Sequence, residues 1–241
     1  MPATSQSWNG LALVVGTGGI GTAVCESLRQ HCPDLTVLRC GRRGAPTNDL
    51  SVDLEDDASL AAFTASLQRR QEPLRLVFNC SGRLHGPGLN PEKRLQQVTR
   101  KQLQEQFSIN AIGPVLLARA VEPLLQRDEN FHFASLSARV GSIGDNRSGG
   151  WYGYRAAKAA QNQLLRCLSI EWARRWPNAT VTLFHPGTTD TELSRPFQSF
   201  VSPESLFSPQ RAAEQLVQLL LHQTPDVSGR FLAWDGQLID W

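Results

Sequence analysis

Short apolar runs alternate along the chain with longer stretches whose apolar positions return every third or fourth residue. The runs LALVV (11–15), LTVLR (35–39), LSVDL (50–54), LRLVFN (74–79), FHFASLS (131–137), TVTLFH (180–185) and GRFLAWDG (229–236) have strand length and are bounded by turn formers. Such runs suit strands buried on both faces. Helical periodicity covers 20–31, 57–70, 100–126, 153–175 and 209–222. Strand then helix, repeated, predicts an α/β fold: a Rossmann-type, doubly wound parallel sheet of about seven strands with helices on both faces. A length of 241 residues suits one such domain, expected over 1–241 with residues 1–9 as a polar tail.

Composition narrows the partners. The formal net charge is +2 and the 24 basic residues are scattered, which gives no footprint for nucleic acid or an anionic membrane. A small molecule is the expected ligand. Residues 1–9 lack a charged start followed by an apolar stretch, and no apolar run approaches about 18 residues, so a cytoplasmic protein that spans no membrane is expected. The five cysteines, at 25, 32, 40, 80 and 167, have no metal-ligand spacing, and their odd number suits a reducing compartment; no metal is expected.

Two turn-rich stretches, GSIGDNRSGGW (141–151) and HPGTTDTELSRPFQS (185–199), follow the carboxyl ends of strands. That edge of an open α/β sheet is where ligands bind. The first strand runs into GTGGIG (16–21), where Gly16, Gly18 and Gly21 have the G-x-G-x-x-G spacing. Glycines there allow a tight turn, bring backbone N–H groups to a pyrophosphate and let the next helix pack close; a glycine-rich turn without a ligand is the alternative. After the second strand, where a cofactor lacking a ribose phosphate would meet a carboxylate, stands RCGRR (39–43). Arg42 and Arg43 can pair with a 2′-phosphate, which favours NADP(H) over NAD(H), unless they are merely solvated loop arginines.

Tyr154 precedes Lys158 by four residues in a chain with two tyrosines and only Lys93, Lys101 and Lys158 as lysines. That spacing sets both on one helix face. An ammonium near a phenol, helped by the positive charge of an oxidised nicotinamide, favours the phenolate, so Tyr154 can exchange a proton with a carbonyl oxygen as hydride is transferred. The alternative is a tyrosine ring resting on a lysine stem.

GTGGIG, NCSG (79–82), SINAIGP (108–114), SLSARVG (135–141), YRAAK (154–158) and HPGTTDT (185–191) resemble, in order and approximate spacing, the short-chain dehydrogenase/reductase family. The resemblance covers essentially the whole chain, and GSIGDNRSGGWYGYRAAK with the ending SGRFLAWDGQLIDW look most like the carbonyl reductases of the sniffer and C-factor group. It implies an NADP(H)-dependent oxidoreductase interconverting a carbonyl and an alcohol. Tyr154 would be the acid/base, Lys158 would hold the nicotinamide ribose, and Asn110 would support a water leading to solvent.

Cofactor contacts implied by the resemblance are Gly16, Thr17, Gly18, Gly19, Ile20 and Gly21 at the phosphates. Asp53 and Leu54 would meet the adenine, and Asn79, Cys80, Ser81 and Gly82 the adenosine ribose. Pro186, Gly187, Thr189 and Thr191 would meet the carboxamide and phosphates. The segment 188–208 is expected to be a lid over the substrate, and the helices over 100–126 and 153–175 to form a homodimer or homotetramer interface. Two departures stand out. The glycine loop is one residue shorter than the family's usual form, and Ala138 occupies the place of the substrate-orienting serine. Ser137 is expected to take that role, with Ser142 or no serine as alternatives. A non-catalytic or weakly catalytic NADP(H)-binding regulatory or signalling protein of C-factor type is the second functional class, which the C-factor resemblance and Ala138 permit.

Overall fold

A computed structural model of the chain describes residues 8–42, 44 and 47–241. Seven parallel strands form one sheet in the order β3-β2-β1-β4-β5-β6-β9, with β1 Gly10–Val15, β2 Leu35–Gly41, β3 Leu50–Ser51, β4 Leu74–Asn79, β5 Phe131–Leu136, β6 Ala179–His185 and β9 Arg230–Ala233. A separate two-stranded ladder pairs β7 (Thr188–Thr189) with β8 (Leu206–Phe207). The helices are α1 Gly19–His31, α2 Asp57–Gln68, α3 Arg100–Phe107, α4 Gly113–Val121, α5 Tyr152–Arg175 and α6 Pro209–Leu221.

Both faces of the sheet are apolar because both are covered. Leu11, Leu13, Val15, Val77, Phe133 and Val181 pack with Phe63 of α2, Leu117 of α4 and Leu165 and Trp172 of α5. On the other side Ala12, Val14, Leu76, Phe78, Ala134 and Phe184 meet Val24 and Leu28 of α1 and Leu216 and Leu220 of α6. Alternate residues along each strand serve opposite layers, as the period of two requires. Strand order reverses between β1 and β4, so their carboxyl ends diverge into the crevice where α/β sheets hold ligands.

Two elements differ from expectation. The strand expected over 50–54 ends at Ser51, since Asp53 Oδ1 accepts from Glu55 N at 3.0 Å and turns the chain. The helix expected over 100–126 is interrupted at Ser108–Ile112 by a π-helical turn, in which the Gly113 N–H reaches Ser108 O. Pro114 lies just beyond and has no N–H to donate to the Asn110 carbonyl, which accounts for a break here. The segment 188–208 carries β7, β8 and two 3-10 turns. Of the expected tail, residues 1–7 lie outside the described residues, as does Arg43.

Candidate active site

The glycine loop links β1 to α1. Gly16 has φ +93°, and a Cβ on it would sit 2.7 Å from Ser81 N; a Cβ on Gly21 would collide with the Gly16 carbonyl. Around Gly18 the space is open, with nothing within 4 Å of a Cβ position, and no side chain caps the start of α1. An uncapped helix N-terminus behind bare backbone is a fit for a pyrophosphate. Thr191 closes one side, its Cγ2 lying 2.9 Å from where a Gly19 Cβ would be.

Thr17 Oγ1 donates to Asn48 Oδ1 at 3.0 Å, and Asn48 Nδ2 donates to Arg42 O at 3.1 Å. Asn48 thereby ties the glycine loop to the arginine that the sequence points to. Arg42 is exposed and Asp53 half-buried, while Leu54 is buried against Gly113.

Tyr154 and Lys158 lie on α5 with the lysine Nζ 5.8 Å from the tyrosine ring centroid. A buried polar chain fixes the lysine. Nζ donates to Leu136 O at 3.0 Å and Gln161 Oε1 at 2.8 Å, and Gln161 Nε2 donates to Ser135 Oγ at 2.8 Å. Asn79 Nδ2 donates to the same Ser135 Oγ at 2.9 Å, and Asn79 Oδ1 accepts from Ser81 Oγ at 2.6 Å. The loop after β4 and the end of β5 are thus locked to the helix that carries Lys158. Gln161 and Ser135 carry only faint signals in the sequence, a glutamine three residues after the lysine and a serine inside an apolar strand.

Burial opposes charge on both partners. It lowers Lys158 to about 7 and pushes the Tyr154 phenol above its ordinary value. Loss of water is the cause of both shifts. No described residue hydrogen-bonds the Tyr154 hydroxyl, and among the described residues Nζ has two protein acceptors for its three donors.

A stability test follows. Lys158 has a folded value near 7 against an ordinary 10.5, so below about pH 7 both states bind the proton and the burial penalty is full. Between those values the unfolded chain binds more protons and wild-type stability rises with pH. Denaturant melts at pH 7 and pH 9 should show wild type gaining on Lys158→Met by on the order of 2 kcal/mol; a gap that stays constant contradicts a buried lysine that loses its proton near neutrality.

Asn110 is fully buried in the π turn. Its Oδ1 accepts from Arg83 N at 3.0 Å, and its Nδ2 donates to Arg83 O and Gln106 Oε1, each at 2.7 Å. A Cβ on Gly82 would lie 3.3 Å from Asn110 Oδ1 and 3.8 Å from Lys158 Nζ, so Asn110, Gly82 and Lys158 converge. Cys80 is anchored by its N–H to Val15 O at 2.7 Å. Ile20 packs against the α1–α6 layer.

Ser137 lies one residue beyond β5. Its hydroxyl donates to Asn162 Oδ1 of α5 at 2.6 Å and it is 4% exposed, because consecutive strand residues point to opposite faces and this one points into the helix layer. Ala138, next along, is half-buried in extended backbone. Ser142 is buried, and its Oγ accepts from Asp145 N at 3.1 Å.

Pro186 and Gly187 follow β6. Gly187 has φ +76°, and a Cβ there would strike the Phe207 ring at 2.6 Å, which seats β8 against this turn. A cavity of about 260 Å³ opens beside Gly187 and Thr188 over Phe207 and Trp234, with the Arg211 guanidinium 3.9 Å above the Phe207 ring. Tyr154 does not line it. Thr189 is buried, and its carbonyl accepts from Ser194 Oγ at 2.5 Å.

Known proteins share this fold. A family model described as enoyl-(acyl carrier protein) reductase matches residues 17–219. The chain is 31% identical over 236 residues to a 1-hydroxy-2-glutathionyl-2-methyl-3-butene dehydrogenase of Rhodococcus sp. (strain AD45), covering 95% of this chain and 98% of the relative. It is 32% identical over 148 residues to the C-signal of Myxococcus xanthus, covering 61% and 83% respectively. The NADPH-bound carbonyl reductase from chicken fatty liver superposes with a TM-score of 0.80 at 23% identity, over 97% of this chain and 99% of that one. The carbonyl reductase Sniffer of D. melanogaster gives 0.80 at 20% identity, over 97% and 99%. No described helix is long and apolar enough to cross a membrane, and the described residues contain no cluster of three His, Cys, Asp or Glu side chains able to hold a metal. With this sheet order, this glycine loop and the family-model match over most of its length, the chain belongs to the short-chain dehydrogenase/reductase family, a family of oxidoreductases.

Proposed function

We propose that the chain is an NADP(H)-dependent oxidoreductase that interconverts a carbonyl compound and an alcohol, with Tyr154 as acid/base. The observation that carries this reading is Lys158, a buried lysine pinned by Leu136 O and Gln161 one helical turn from an unpartnered phenol. When bound, the cofactor supplies hydride at its nicotinamide ring. Gly16 through Gly21 and Thr191 hold the phosphates, with Arg42 at the ribose phosphate. Asp53 and Leu54 meet the adenine, Asn79 through Gly82 the adenosine ribose, and Pro186, Gly187 and Thr189 the nicotinamide end.

Tyr154 donates its phenolic proton to the substrate oxygen as the adjacent carbon gains hydride, and takes it back in the reverse direction. Burial keeps the phenol protonated, the form that carbonyl reduction consumes. Lys158 directs its remaining N–H to the nicotinamide ribose, and Asn110 supports the water that restores the proton. Segment 188–208 closes over the substrate, with Phe197 lying 4.9 Å from Trp151. Ile112 beside α4 and Ile170 on α5 are 46% and 44% exposed, which suits these helices to a homodimer or homotetramer interface.

The test is a melting-temperature shift with NADPH against NADH, followed on the same sample by a panel of aldehydes, ketones and quinones. NADPH is expected to stabilise the protein more than NADH, with Arg42→Ala narrowing the gap, and NADPH is expected to be oxidised with at least one carbonyl. Equal shifts contradict the cofactor preference. One observation favours a second reading, an NADP(H)-binding signalling protein: Ala138 stands where the resemblance puts the substrate-orienting serine, and the Ser137 hydroxyl donates to Asn162. That reading predicts cofactor binding with turnover at background across the panel.

A further inference from the structure

Among the described residues Trp151 is the one non-glycine residue in the left-handed region, at φ 50° and ψ 42°. Gly149 and Gly150 before it have φ of 62° and 64°, so three successive residues adopt a backbone that L side chains rarely take. A tryptophan in such a place is held by its surroundings. The Trp151 N–H donates to Glu92 O at 2.5 Å, and the Glu92 side chain, 3% exposed, accepts from Gly153 N at 3.1 Å. Arg155 Nε donates back to Gly150 O at 3.0 Å. Trp151 itself offers α5 no side-chain cap; the carboxylate from a distant loop does so instead.

What this conformation achieves is the placement of the indole. Its ring meets Tyr154 edge-on, with centroids 6.4 Å apart at 73°, and Phe197 at 4.9 Å and 60°. Phe197 in turn meets His85 at 5.9 Å, and His85 Nε2 lies 3.1 Å from Glu192 O. An aromatic row thus runs from the candidate proton donor through Trp151 to Phe197 of segment 188–208 and on to His85. Trp151 and Phe197 are both only half-buried, so their faces are not consumed by core packing.

We infer that Trp151 determines substrate specificity, selecting carbonyl compounds whose carbonyl carbon is attached to a flat, unsaturated ring. Such a ring takes up the edge-to-face geometry that Phe197 now makes with the indole and brings its carbonyl to Tyr154. A saturated ring of the same size has no quadrupole to offer and gains only area. This inference rests on the carbonyl reading of the site and deepens it.

The test separates binding from turnover. NADPH-loaded Tyr154→Phe protein, which cannot donate the proton, is titrated with benzaldehyde and with cyclohexanecarbaldehyde by calorimetry. Benzaldehyde should bind about fivefold more tightly. Adding Trp151→Gly, which suits the left-handed backbone and so keeps the fold, should abolish the difference; adding Trp151→Phe should keep most of it. NADPH affinity should be the same in all three proteins. Equal binding of the two aldehydes with Trp151 present, or a preference that survives Trp151→Gly, overturns the assignment. If the preference is as expected but wild type turns over neither aldehyde, the Trp151 assignment stands and the reductase reading fails.

Discussion

Tyr154→Phe is expected to slow NADPH oxidation with an aldehyde by on the order of 10³-fold, the scale of a lost general acid, while leaving cofactor affinity and melting temperature near those of wild type. The substitution removes one oxygen and keeps the ring, so the edge-on contact with Trp151 at 6.4 Å survives. No described residue depends on the hydroxyl, and the lysine's acceptors are Leu136 O and Gln161 rather than the phenol. A collapse in melting temperature would mean that the hydroxyl is structural. Activity near wild type would mean that the proton comes from elsewhere.

Ala138→Ser should act in the opposite direction and raise kcat by about 10²-fold, the effect of adding one well-placed donor to a developing oxyanion. Ala138 is extended, at φ −147° and ψ 144°, a conformation that serine adopts freely, and it stands where the resemblance puts the substrate-orienting serine. Ser137→Ala is the matched control. It breaks the 2.6 Å bond to Asn162, so it should cost about 1 kcal/mol of stability with little change in rate. If Ala138→Ser leaves the rate unchanged, a donor is already in place, and Ser142→Ala is the variant that should then lose activity. If wild type is inactive and Ala138→Ser is active, the natural protein is a cofactor-binding relic of an enzyme.

The layered fold was legible because it is written in local periodicities: Leu11 through Val15 or Phe131 through Leu136 have the continuous apolar character that burial on both faces demands. The glycine loop was legible for a similar reason, since Gly16, Gly18 and Gly21 act through their own backbone. What could not be read was pairing across the chain. Ser137 and Asn162 are 25 residues apart and Glu92 and Gly153 are 61, and only packing of β5 and the loop after β4 against α5 brings them together. The same holds for Asn48 at Thr17 and for Gln161 at Ser135, polar residues that look solvated until the fold buries or shields them. Desolvation is hidden on the same ground: the charge of Lys158 is visible in the sequence, but the removal of water from Lys158 and Tyr154 is not.

Deuterium transfer from NADPH labelled at nicotinamide C4 to benzaldehyde, compared between wild type and Tyr154→Phe at saturating cofactor, tests the central claim most directly. Label at the benzylic carbon of the alcohol with wild type, and almost none with the variant although it still binds NADPH, is the predicted result. Equal labelling by the two proteins would contradict it.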